Sequence, residues 1–194
     1  PLEEIIKIRE LCLERGIKTY LDGARLWNAS AASGITLSEY CRHFDLISVC
    51  LSKGLGAPIG SVLVGDKQTI VRAKRFRKAL GGGMRQVGIL AAAGIYALEH
   101  NIDRLEDDHR RAKIIADALQ GLPGIKVNAA ETNIVIFDTA GTGIDPAKIV
   151  DDLKNKGLLI VGMGGNLLRA VCHLDVDDND IKTACKIIRN YFKD

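Results

Sequence analysis

Lys53 has the most reactive context in this sequence. It follows the unbroken apolar run Leu46–Leu51 and opens the segment Ser52-Lys53-Gly54-Leu55-Gly56-Ala57-Pro58-Ile59-Gly60-Ser61. An amine desolvated at a strand end has a lowered pKa, and the neutral amine is the nucleophile that forms Schiff bases. The glycines let the backbone come close to a bulky group. A dinucleotide-binding loop is the rival reading, but the spacing is GxGxxxG rather than GxGxxG. Pro58 also stands where a helix should begin, and the run continues as a strand. A Walker A loop is excluded because no Lys-Ser/Thr pair follows the glycines. A plain turn carrying one lysine stays open.

Three further constellations combine charge with a place in the fold. In Tyr20-Leu21-Asp22-Gly23-Ala24-Arg25 the aspartate closes an apolar strand, and open α/β sheets gather ligands at the carboxyl ends of their strands. The alternative is a turn aspartate beside a surface arginine. In Lys78-Ala79-Leu80-Gly81-Gly82-Gly83-Met84-Arg85-Gln86, free amides at a helix start between two cations make an anion site, against the alternative of a flexible hinge. Arg169 lies within the apolar strand Leu167–Val171. Burying its charge without a partner is costly, and a two-pronged grip on a carboxylate is its natural use; an arginine on a solvated edge strand is the alternative. The four histidines have no ligand-type spacing, so a metal site is not expected.

These residues need elements to hold them. Apolar spacing predicts helices over Leu2–Arg15, Leu26–Ser33, Leu37–His43, Lys67–Leu80, Arg85–Glu99, Ile102–Leu119, Pro146–Lys156 and Asp178–Phe192. Strands are expected at Ile17–Leu21, Leu46–Leu51, Ile59–Val64, Ile125–Val127, Asn133–Phe137, Leu158–Val161 and Leu167–Val171. The texture changes near the turn Gly121-Leu122-Pro123-Gly124. Residues 1–110 are expected to form the C-terminal part of a large domain with a mainly parallel sheet, and residues 111–194 a small α+β domain.

The chain has 194 residues, 47% of them hydrophobic, and 27 Lys and Arg against 24 Asp and Glu. That balance is too mild to argue for nucleic acid. No apolar stretch is long enough for a membrane helix. The opening Pro1-Leu2-Glu3-Glu4 has no leader pattern and no Met, the mark of either a processed chain or a piece of something longer. Five cysteines without a CxxC pair are expected to be free thiols in a reducing cytoplasm.

Taken together, Asp22 can pair with a pyridinium nitrogen, Lys53 can form the Schiff base, Lys78 and Arg85 can bind phosphate, and Arg169 can hold an α-carboxylate. That is the equipment of a pyridoxal-phosphate enzyme acting on an amino acid.

The sequence resembles the low-specificity L-threonine aldolases, of the aspartate-aminotransferase-like fold (fold type I). Asp22–Asn28 (DGARLWN), Ser48–Ser61 (SVCLSKGLGAPIGS) and Lys78–Gly88 (KALGGGMRQVG) look like three of the family's blocks, and Arg169 with His173-Leu174-Asp175-Val176 looks like a fourth. The resemblance implies an α/β fold and retro-aldol cleavage of L-threonine or L-allo-threonine to glycine and acetaldehyde. It implies pyridoxal 5'-phosphate held through Lys53, with Asp22 keeping the ring nitrogen protonated. Arg25 and Arg169 resemble the substrate-carboxylate arginines, with Arg25 also at the cofactor. Lys78 and Arg85 resemble residues that reach a neighbouring subunit's cofactor phosphate, which implies a dimer or tetramer with shared sites. Neither nucleic acid nor membrane is an expected partner. Tyr20 departs from the family, which usually has His at that position. The family's phosphate loop, ring-stacking histidine and candidate base precede the segment corresponding to Pro1, so no residue here is assigned as the general base. A non-catalytic fragment and a related β-eliminating lyase remain the alternatives.

Overall fold

The computed structural model describes residues 1–193, which form two compact units, one over Pro1–Asp103 and one from Arg104 onward. In the first unit, α1 (Leu2–Glu14) opens with Glu3 and Glu4 in its first turn, where acids favour the helix dipole. Strand β1 (Tyr20–Gly23) is followed by α2 (Leu26–Ser33) and α3 (Leu37–Cys41), then β2 (Leu46–Cys50). Gly34 ends α2 at φ +71°, and the Thr36 side chain caps α3 by accepting from the Glu39 N–H. Strand β3 (Ser61–Gly65) leads into α4 (Lys67–Ala79), capped by Asp66, and then into α5 (Gly88–His100).

The helices between β1 and β2 form a crossover, so those strands run parallel, with Asp22 abreast of Ser48. The segment from Leu51 to Gly60 holds no crossover helix, and β3 accordingly returns antiparallel to β2. Burial alternates along β2. Ile47 and Val49 are buried and pack with Leu26, Leu21, Trp27 and Phe44 on the face covered by α2 and α3. Tyr20, Asp22, Ser48 and Cys50 therefore lie on the opposite face. At Gly23 a Cβ would stand 2.7 Å from the Ser48 carbonyl oxygen, so only glycine admits this strand spacing.

The second unit contains α6 (Leu105–Leu119), β4 (Lys126–Val127), β5 (Ile134–Asp138), α7 (Pro146–Asn155), β6 (Val161–Gly162), β7 (Leu167–Val171) and α8 (Asp178–Lys193). Its sheet has the order β4-β5-β7-β6 and is antiparallel throughout. Val135, Phe137, Leu168 and Ala170 point to one face, where they bury against Ala112, Leu119, Ile149, Leu153, Ile181 and Ile188. Arg169, Ile136 and Val161 share the other face. Burial pushes the Cys172 thiol up to about 12 and raises that of Cys185 as well, so both stay protonated core groups. No helix of the described residues is long and apolar enough to cross a membrane.

Several boundaries differ from the sequence expectation, and at three of them the structure shows the cause. The first strand begins at Tyr20 rather than Ile17, because Thr19 bonds the Asp45 side chain through its N–H (2.9 Å) and hydroxyl (3.1 Å). Helix α5 begins at Gly88 rather than Arg85, because Gln86 sits at φ +48°, outside helical space. Strand β6 begins at Val161 because Leu158 still belongs to the close of α7. Its N–H bonds the Leu153 carbonyl oxygen and that of Gly157, at φ +88°, bonds Lys154.

Asp45 ties α1 to the sheet, accepting from Arg9 at 2.6 Å and from Lys18 at 2.9 Å as well as from Thr19. The Arg9 guanidinium, with the other donors, holds its carboxyl well below the usual carboxylate range. A lowered folded-state pKa gives stability above the unfolded value of about 3.9, lost as pH falls through the folded value. Urea unfolding of wild type and Asp45→Asn is expected to differ at neutral pH and to converge as pH drops below that unfolded value. A gap that persists undiminished in acid contradicts this account.

Candidate active site

Lys53 is presented by a built turn. Past β2 the chain folds back on itself, with the Leu51 N–H bonded to the Gly60 oxygen at 2.9 Å and the Ala57 N–H to the Leu51 oxygen at 3.0 Å. The Gly56 N–H closes a turn onto the Lys53 oxygen at 2.9 Å, with Gly56 at φ +70°, a conformation glycine adopts without penalty. Leu55 is fully buried and plugs the turn, and Asn101 Nδ2 donates to the Leu55 oxygen at 2.7 Å from beyond the end of α5. The apolar members of the turn take its interior, so Lys53 stands on the outside and is exposed. This corrects the expectation of a desolvated amine: no described residue covers it.

Asp22 lies at the same end of the parallel pair, one residue before β1 finishes. Its Oδ1 accepts the Ala24 N–H at 3.1 Å, which fixes the carboxylate on the exposed face of the strand. Arg25 is half-buried just ahead of α2. Two contacts that the sequence does not announce hold this corner. Trp27 Nε1 donates to the Cys50 oxygen at 2.9 Å, pinning the strand that delivers Lys53. The hydroxyls of Tyr20 and Ser48 lie 2.7 Å apart across β1 and β2. Trp27 stands inside the DGARLWN block, which was the one available signal; nothing in the sequence pairs Tyr20 with Ser48.

Lys78, in the last turn of α4, and Arg85, three residues before α5, are both exposed and flank the glycine segment. Gly81 adopts φ +79°, and α5 has no side-chain cap on its first amides. In the second unit Arg169 is half-buried. Its Nε is buried without a hydrogen-bond partner among the described residues. The structure thus gathers Asp22, Arg25 and Lys53 at one end of the β1–β2 pair, and holds Lys78 and Arg85 on one connecting segment. Arg169 belongs to the second unit's own sheet.

The beta-eliminating lyase family matches residues 1–142, and the chain belongs to that family. A low-specificity L-threonine aldolase of Candida albicans is 44% identical over 97% of this chain and 49% of its own length. Its counterpart in Escherichia coli K12 is 43% identical over 91% of this chain and 51% of its own length. The chain spans about half the length of the curated relatives it matches. A solved threonine aldolase from Leishmania major superposes with a TM-score of 0.79 over 98% of this chain and 56% of that one, at 18% identity, a likeness of fold. That likeness covers an α/β unit followed by a small α+β unit.

Proposed function

We propose that this chain carries the lysine-bearing part of a pyridoxal-phosphate enzyme that cleaves L-threonine or L-allo-threonine to glycine and acetaldehyde. The observation that carries the reading is the rigid Lys53 turn beside Asp22 at the carboxyl end of the parallel pair. The names of the relatives from Candida albicans and Escherichia coli support it. The residues fit the cofactor. Lys53 offers an exposed amine to its aldehyde, the Asp22 carboxylate a partner for its ring nitrogen, and Lys78 and Arg85 cations for a phosphate, in the last case a neighbouring subunit's. That assignment makes the working unit a dimer or tetramer, and the free thiols suit a cytoplasmic setting.

When bound, the cofactor supplies an electron sink for the pair released as the Cα–Cβ bond breaks. The protein's part is binding and orientation. Lys53 Nζ would hold the cofactor covalently through its aldehyde. Asp22 would pair with the ring nitrogen, its carboxylate aimed by the Ala24 N–H. Arg25 and Arg169 are assigned the substrate carboxylate, whose fixed position sets which bond at Cα is aligned for cleavage.

The test is product analysis on the complete protein that carries this chain. Supplied with pyridoxal phosphate, it is expected to release glycine and acetaldehyde from threonine. Ammonia release instead identifies a β-eliminating lyase, and neither product identifies a non-catalytic chain. Arg169→Ala is expected to raise KM by about tenfold or more, the loss of one charge-assisted hydrogen bond, with cofactor absorbance unchanged. A variant that loses the cofactor itself contradicts the role given to Arg169.

A further inference from the structure

Helix α5 is apolar along most of its length, and its buried residues are Gly94 and Ala97. They stand three residues apart, and Asn101, which caps the end of the helix, stands seven on from Gly94, so the three share one face. That face bears on the Lys53 turn. A Cβ at Gly94 would stand 3.2 Å from Leu51 Cδ1, and Asn101 Nδ2 donates to the Leu55 oxygen at 2.7 Å. Asn101 is itself fixed, because its N–H continues the helix ladder onto the Ala97 oxygen at 3.0 Å. Within the turn, Gly54, Leu55 and Ala57 are buried while Lys53 beside them is exposed. The Lys53 and Leu51 oxygens take the N–H groups of Gly56 and Ala57. The Leu55 oxygen takes its donor from a side chain 46 residues along the chain.

We infer that Asn101 is a positioning residue for Lys53: its amide, bonded to the Leu55 oxygen, fixes where the turn presents the Lys53 amine beside Asp22. This rests on the pyridoxal-phosphate reading above. The backbone bonds that shape the turn join residues of Leu51–Gly60 to one another. The Asn101 bond ties that segment to α5, two residues past Lys53. Leu55 has no exposed surface, so removing the amide leaves a buried carbonyl without a partner, a penalty the turn relieves by shifting towards water. A displacement of about 1 Å at a reacting group is enough to cost up to a hundredfold in rate. Asn101 acts on the reaction through the turn alone.

The experiment compares the complete protein with its Asn101→Ala and Asn101→Leu variants, by amide hydrogen exchange and by threonine-cleavage kinetics with pyridoxal phosphate supplied. Both variants remove the donor, and leucine keeps close to the shape of the asparagine. Exchange of the Gly56 and Ala57 amides is expected to quicken about tenfold, the loss of one hydrogen bond read as local opening. The amides of β2 should exchange as in wild type. At the same time kcat is expected to fall about tenfold with KM for threonine unmoved, because the arginines assigned to the substrate carboxylate are untouched. Unchanged exchange at Gly56 and Ala57, an equal rise across the whole unit, an unchanged kcat, or a raised KM in place of the kcat loss overturns the role given to Asn101. If Asn101→Ala fails to fold, Asn101→Leu decides the question alone. Wild type that takes up no pyridoxal phosphate overturns the proposed function itself, and the exchange measurement still reads the hold of Asn101 on the turn.

Discussion

Replacing Lys53 with alanine in the complete protein is expected to abolish covalent attachment of pyridoxal phosphate and to reduce threonine cleavage to background. The turn that carries Lys53 is held without that side chain. Its hydrogen bonds run between backbone groups of Leu51, Lys53, Gly56, Ala57 and Gly60, and its plug is Leu55. The side chain is exposed and makes no hydrogen bond or ion pair with any described residue, so the variant should fold as wild type does. What goes is the nucleophile. Reduction with borohydride followed by mass measurement gives the direct reading: wild type gains the mass of the reduced cofactor and Lys53→Ala does not. The α4 lysine Lys67 is the control, since Lys67→Ala should still be labelled. Persistent labelling of Lys53→Ala at another lysine would remove Lys53 from the mechanism.

The elements that sequence predicted to the residue are those whose ends are decided locally. Helix α2 stops at Ser33 because Gly34 follows it, and β7 matches Leu167–Val171 because its apolar run is bounded on both sides by polar or glycine-rich segments. Where the ends moved, a distant or conformational cause was at work. Thr19 is claimed by Asp45, far along the chain, and no propensity scale contains that bond. Gln86 carries a positive φ that its residue type does not announce. The antiparallel return of β3 follows from the short Leu51–Gly60 connection, a feature of topology that composition leaves open.

The candidate site divides along the same line. Lys53, Asp22 and Arg169 were legible because each puts an ionisable residue at or inside an apolar strand, an inconsistency that chemistry has to justify. Their supports were not legible. Trp27 reaches the Cys50 oxygen and Tyr20 reaches Ser48 only once β1 and β2 lie side by side. The exposure of Lys53 was not legible either, because it follows from a closed turn plugged by Leu55, whose backbone hydrogen bonds no local pattern announces.

The largest stability effect is expected at Asp108, a carboxylate with no solvent exposure in the first turn of α6. Arg104 Nη2 donates to its Oδ1 at 2.5 Å, and Arg111 Nη1 stands 3.9 Å from the same oxygen. Arg111 in turn donates through Nε to Asp178 at 2.8 Å, joined there by Arg110 at 2.9 Å, so the chain of charges runs from the start of α6 to the start of α8. Bonding to Asp178 raises the Arg111 pKa further, and the guanidinium stays charged. Asp108→Ala leaves the part-buried Arg104 and Arg111 without their central anion, and breaking a buried ion pair in this way costs about 3–5 kcal/mol. Asp178→Ala removes a solvent-exposed partner of the same arginines and should cost much less. Urea unfolding of both variants, together with amide exchange in α6 and α8, measures the difference. Equal losses for the two variants would place the weight of the cluster at its exposed end instead. A near-neutral Asp108→Leu alongside a damaging Asp108→Ala would assign it to packing, since an apolar residue of similar reach fills the site without a charge to satisfy.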